Sequence, residues 1–171
     1  MRRALTLLLL LAALPAAAEV QLESIVWQTR YGQRAAKAED VTRLALPAGT
    51  ALKGRLRARV KVLNRGEAVE GVLLRYSLTA QLAATGAADA AQAPTWAIAF
   101  DLDEKRVPKI GANQHFEITL DPTQALSLYL KRVAMGGYWP TALKLQVMLE
   151  PRKGAGPLQV IESTLPIGEA K

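Results

Sequence analysis

Between Leu52 and Asn64 the chain alternates almost strictly, with Leu56, Ala58, Val60 and Val62 on one side and Lys53, Arg55, Arg57, Arg59 and Lys61 on the other. A period of two fits the pleat of a β-strand, whose successive side chains point to opposite faces, and does not fit a helix. Such a strand has one apolar face, and that face needs a second layer to cover it. The same period returns at Val72, Leu74, Tyr76, Leu78 and Leu82, at Trp96, Ile98, Phe100 and Leu102, at Phe116, Ile118 and Leu120, and at Leu143, Leu145, Val147 and Leu149. Each set is expected on one buried face. Weaker strands are expected at Val20 to Trp27, Val41 to Leu46 and Leu158 to Ile167, where a change of phase between Val160 and Ile161 reads as a bulge.

Turn chemistry separates these segments. Pro47-Ala48-Gly49, Asn64-Arg65-Gly66, Pro108 to Gly111 and Lys153 to Pro157 carry the Gly, Pro and Asn that turns require. Residues 83–94 are rich in alanine and poor in apolar bulk, and read as a mobile loop, with a short helix as the alternative.

One helix stands apart, at about 122–134. Asp121 can cap it, Pro122 suits the first helical position, and Gln124 sits where a capping-box partner would. Leu126, Tyr129, Leu130 and Val133 form an apolar stripe, Lys131 and Arg132 fall where the dipole favours cations, and Gly136-Gly137 ends the helix. The sum is an all-β chain: two antiparallel sheets packed face to face, seven or eight strands, and one short helix before the penultimate strand. A closed barrel is the rival. Parallel architecture is disfavoured, because a single helix cannot supply the crossovers.

Leu46-Pro47-Ala48-Gly49, then Arg59 to Gly66, then Val72 to Leu78 resemble the opening of a bacterial immunoglobulin-like domain of the CARDB or fibronectin-like kind. There a Pro-Gly turn precedes a strand ending in Asn-x-Gly, and the next strand crosses to the other sheet. The resemblance covers residues 44–82 and implies an immunoglobulin-like β-sandwich. The helix and the alanine-rich loop depart from it. Domains of this kind serve as spacers and adhesion modules, so the likeness implies no single function.

The first eighteen residues read as a cleaved export signal. Arg2 and Arg3 precede an apolar run from Ala4 to Leu14, and Ala16-Ala17-Ala18 offers a cleavage site before Glu19. The run is shorter than a bilayer span, and no second apolar run of that length follows. Removing 18 of the 171 residues leaves 153, and losing Arg2 and Arg3 takes the net charge from +7 to +5. Residues 19–171 are expected to form a single domain in the periplasm or outside the cell. With no cysteine, the chain has neither disulfides nor thiolate ligands, and its stability must come from its core.

Chemistry is sparse. His115 is the one imidazole, and its phase beside inward Phe116 turns it outward next to Glu117. No serine lies in a nucleophile-elbow or S-x-x-K pattern, so an activated nucleophile is not expected. A single histidine excludes the usual transition-metal sites, and no metal or cofactor is expected. Asp101 and Asp103 project on one face roughly 7 Å apart. As a calcium loop the segment fails at Lys105 and Arg106. Paired-carboxylate glycoside hydrolysis has no other support.

Two surfaces remain. Lys53, Arg55, Arg57, Arg59 and Lys61 repeat about every 6.6 Å along one strand face, a docking row for an acidic partner protein or an anionic envelope polymer. The plain alternative is a solvated face that also blocks edge-to-edge pairing, with Glu67, Glu70 and Glu117 as neutralising acids. Tyr138 and Trp139, after two glycines and before Pro140, offer a displayed aromatic pair, or else a Trp that plugs the core beneath the helix. Trp27 and Trp96 are in strand phase and are assigned to the core. Taken together, the expectation is an exported, non-catalytic module that binds a protein partner. A carbohydrate or anionic-glycan binding module is the alternative, an enzyme the least favoured class, and nucleic acid is not expected as a partner because no stacking aromatics alternate with the cations.

Overall fold

The alternating segment forms β4 (Arg55–Asn64), and every second residue of it is buried, from Leu56 to Asn64. The computed structural model describes residues 20–32, 37–86, 93–150 and 158–168. The expected export signal, the expected turn at 153–157 and residues 87–92 of the expected alanine-rich loop lie outside the described residues. Along the chain β1 (Val20–Arg30), β2 (Glu39–Asp40) and β3 (Leu44–Ala45) precede β4, and β5 (Val69–Ala84), β6 (Thr95–Trp96), β7 (Asp101–Ile110) and β8 (Gln114–Leu120) follow it. The helix α1 (Thr123–Met135) then leads to β9 (Tyr138–Glu150) and β10 (Gln159–Gly168).

The strands make two sheets. One has the order β2-β1-β4-β8, and the other runs β3-β10-β9-β5-β6, with β7 also paired to β5. Their inner faces share one core, in which Leu56, Val60 and Val62 of β4 join Leu74 and Leu78 of β5 and Leu145 of β9. Burying side chains of this size stabilises the fold by about 1.5–3 kcal/mol each. Trp27 crosses between the layers, its indole Nε1 donating to Ser163 Oγ at 3.0 Å. Gln159 closes the edge of β1, accepting from the Leu22 amide at 3.0 Å and donating to the Val20 carbonyl at 2.7 Å.

The all-β expectation stands, with one helix and two sheets. Several finer expectations do not. The pair β3–β10 is parallel, against an antiparallel expectation throughout. The bulge expected at Val160–Ile161 is absent, because β10 holds an unbroken register with β9 from Gln159 to Pro166 and Val160 simply points outward. Register shifts fall elsewhere, in β1 between Leu22 and Ser24 and in the β5–β9 pairing between Gln81 and Leu82. Residues 108–110 belong to β7 rather than to a turn.

The set Trp96, Ile98, Phe100 and Leu102 is not one buried face. The regular ladder to β5 is interrupted between Trp96 and Asp101, Leu102 then lies opposite Ser77 rather than an inward-facing residue, and Ile98 and Leu102 stand 88% and 72% exposed. Only Phe100 turns inward, stacking on Tyr129 of α1 at a centroid distance of 4.0 Å. Trp96 pairs with Gln81, whose phase is outward, and so lies on the outer face beneath the Lys144 ammonium at 4.8 Å.

The helix starts at Thr123, and its cap position falls on Pro122, which has no side-chain donor or acceptor. Asp121 supports the start from one residue further out, accepting from the Thr123 amide at 3.3 Å. Thr123 in turn bonds both the amide and the carbonyl of Leu56, tying the helix to the beginning of β4. Leu126 and Leu130 are the buried part of the stripe. The helix closes with Gly137 at φ +76°, a conformation only glycine adopts without strain.

Candidate functional site

Strand register brings one end of the sandwich together. Arg30, the last residue of β1, pairs with Arg55, the first of β4; Ala84, the last of β5, pairs with Tyr138, the first of β9. Helix α1 begins at that same end, bonded to Leu56. The start of the basic row and the Tyr138-Trp139 pair, which β9 carries rather than a loop, therefore share one end of the fold.

The basic row itself divides in two. Because β4 is an interior strand between β1 and β8, it blocks no sheet edge, and its neighbours supply acids. Arg57 pairs with Asp121 at 3.2 Å, Arg59 with Asp40 at 3.5 Å and Glu117 at 3.6 Å, and Lys61 with Glu117 at 3.9 Å. Of the three acids expected to neutralise it, Glu117 does so; Glu70 pairs with Lys109 at 3.8 Å on the other sheet. Lys53 and Arg55 are exposed and form no ion pair among the described residues. They lie at the helix end.

The aromatic pair also divides. Tyr138 is 45% exposed, whereas Trp139 is 8% exposed and donates to the Leu46 carbonyl oxygen at 3.3 Å. The displayed pair is thus a single ring, since strand alternation sends the next residue inward. Three exposed apolar side chains lie on or beside α1: Ile98, expected on a buried face, and Leu128 at 57% and Met135 at 84%, which the sequence pattern did not single out. Between residues 98–100 and the helix residues Ala125, Leu128, Tyr129 and Arg132 runs a groove of about 540 Å³. A smaller one of about 240 Å³, lined by Leu82, Thr95 and Tyr138, adjoins the end of β5. A helical-wheel reading of residues 123–135 could have flagged Leu128 and Met135, because both fall opposite Leu126 and Leu130.

The titratable groups fall on different sheets, His115 on β8 and Asp101 and Asp103 on β7. His115 lies on the outer sheet face with Nδ1 3.0 Å from a Glu23 carboxylate oxygen. Asp103 accepts from the Tyr76 hydroxyl at 3.1 Å, and burial together with Asp103, Asp101 and Asp121 pushes that phenol far above its ordinary value. Partial burial, then the neighbouring Asp103, raises the Asp101 carboxyl. Burial pushes Asp121 up as well, but hydrogen bonds from Thr123 and the Arg57 guanidinium outweigh it and leave the group below its ordinary value. Among the described residues no group of three or more histidines or acids is arranged to hold a metal ion. No helix there is long and apolar enough to cross a membrane.

No family model and no curated protein matches the chain. Among solved structures it is similar to the β-glucosidase from Listeria innocua in complex with gluconolactone, with a TM-score of 0.36 and 13% identity over 90% of this chain. The chain spans only 16% of that one. It is also similar to a protein from Archaeoglobus fulgidus, with a TM-score of 0.30 and 13% identity over 85% of this chain and 97% of the other.

Proposed function

We propose that this chain is an exported, non-catalytic binding module of the immunoglobulin-like β-sandwich kind, which engages a protein partner in the cell envelope or outside it through the helix end. One observation carries the reading. Tyr138, Ile98, Leu128 and Met135 are exposed at that end, where Lys53 and Arg55 have no ion pair among the described residues. Exposed apolar side chains gathered in one place and rimmed by charge are the chemistry of a protein interface. The rest of the basic row already has acids beside it and needs no partner.

The test is capture from envelope extract by the tagged chain from residue 19 onward, read by mass spectrometry. Two variants run beside it: Tyr138→Ser with Ile98→Ser at the helix end, and Lys61→Gln on the sheet face. A partner held by the parent and by Lys61→Gln, and lost by the helix-end variant, supports the reading. Identical captures by all three overturn it. Binding of soluble glycan that is lost with Tyr138→Ser would assign the end to carbohydrate instead.

A further inference from the structure

We infer that the groove beside α1 seats an acidic amphipathic helix of the partner, an inference that rests on the helix end being the working surface. While α1 turns Leu126 and Leu130 into the core, its other side keeps a helical period of its own. Ala125, Leu128, Arg132 and Met135 follow one another over ten steps of the helix, about 15 Å of axis. Leu128, Met135 and facing Ile98 are exposed, so this apolar ridge has no cover among the described residues.

Charge selects the partner. Helix α1 contains no acidic residue, and exposed Lys131 and Arg132 form no ion pair among the described residues. Arg132 lines the groove itself. A segment that fits must be apolar along its centre and acidic along the side that meets these cations.

Geometry selects a helix over a strand. Strand addition needs a row of free backbone groups, but the α1 wall spends its own within the helix, and on the other wall the amides of Ala97 and Phe100 are turned toward β5, donating to Ala80 and Leu78 at 2.9 Å each. A helix needs none. Its side chains at i, i+3, i+4 and i+7 fill such a groove, and one wall of the groove is itself a helix against which ridges can pack. An anionic bilayer fits less well, because the surface is concave.

Two synthetic peptides of about 18 residues, long enough to be helical, share one leucine stripe and differ only in carrying glutamates or lysines beside it. Fluorescence anisotropy should show the acidic peptide binding about tenfold more tightly than the basic one. Lys131→Glu with Arg132→Glu should reverse that order, and Leu128→Asp, at an exposed position, should abolish both. Equal binding, a preference for the basic peptide, or no binding overturns the inference. Phosphatidylglycerol vesicles that bind the chain, and release Leu128→Asp, would assign the groove to lipid. A photoreactive residue at position 98 in the native envelope separates the two levels. A crosslinked partner segment with an apolar period and acids supports both; a segment lacking them overturns this inference and keeps the helix-end reading. No crosslink from position 98 or 138 overturns both.

Discussion

Trp139 donates its indole hydrogen to the carbonyl oxygen of Leu46, 93 residues earlier, across 3.3 Å. This bond joins the start of β9 to the segment after β3 and buries a ring that would otherwise be displayed. Trp139→Phe should keep most of the packing and cost about 1 kcal/mol for the orphaned carbonyl. Trp139→Ala should cost about 3–5 kcal/mol through the cavity it leaves. Urea denaturation of both, beside Tyr138→Ala with a change below about 0.5 kcal/mol, checks the division of labour between neighbouring rings.

Asn64 is fully buried, and its side chain makes three bonds. Its Nδ2 donates to the carbonyls of Glu67 at 2.6 Å and Gly111 at 2.9 Å, and its Oδ1 accepts from the Gly66 amide at 3.2 Å. It therefore pins the β4–β5 turn to the β7–β8 turn. Asn64→Ala should destabilise by about 2–4 kcal/mol, since several buried groups lose partners together. Hydrogen exchange at Gly66 should accelerate well beyond the global change.

Thr29 is buried, and its hydroxyl has no partner among the described residues. Thr29→Val removes that polar atom while keeping the branched shape that suits a strand. Stability should rise by about 1 kcal/mol, measured as a higher midpoint in urea at unchanged slope.

Asp121 and Asp101 act in opposite directions with pH. Asp121 lies below its ordinary value of 3.8, so its contribution is present above that pH and is lost as pH falls through the lower folded value. Asp101 lies above 3.8, so its carboxylate opposes folding at neutral pH and is relieved as pH falls through the raised value. Asp121→Asn should therefore destabilise at pH 7, and Asp101→Asn should stabilise there. Thermal unfolding repeated at pH 3 should show both differences shrink.

Leu126 and Leu128 sit two residues apart on α1, one inaccessible and the other 57% exposed. Leu126→Ala should cost about 2–5 kcal/mol, whereas Leu128→Ala should stay within about 0.5 kcal/mol. Equal losses in a denaturant series would mean that Leu128 is packed rather than presented.

Sequence alone determined the layer structure, because period-two burial is local. Leu56, Val60 and Val62 of β4 and Leu143, Leu145 and Val147 of β9 declare their inner face with no knowledge of what covers it. The helix was legible for the same reason, from Leu126 and Leu130 with Gly136-Gly137 behind them. What sequence could not fix was which strands stand side by side. Glu117 faces Lys61 only because β8 pairs with β4 at that register, and that pairing turns a row of like charges into cross-strand ion pairs. The same holds for Trp96, which reads as core by its phase and lies outside because Gln81 opposite it is outward. Lys53, Arg55, Tyr138 and the groove beside α1 come to one end through long-range register, since pairing partners are set by the whole packed fold rather than by any segment's own pattern.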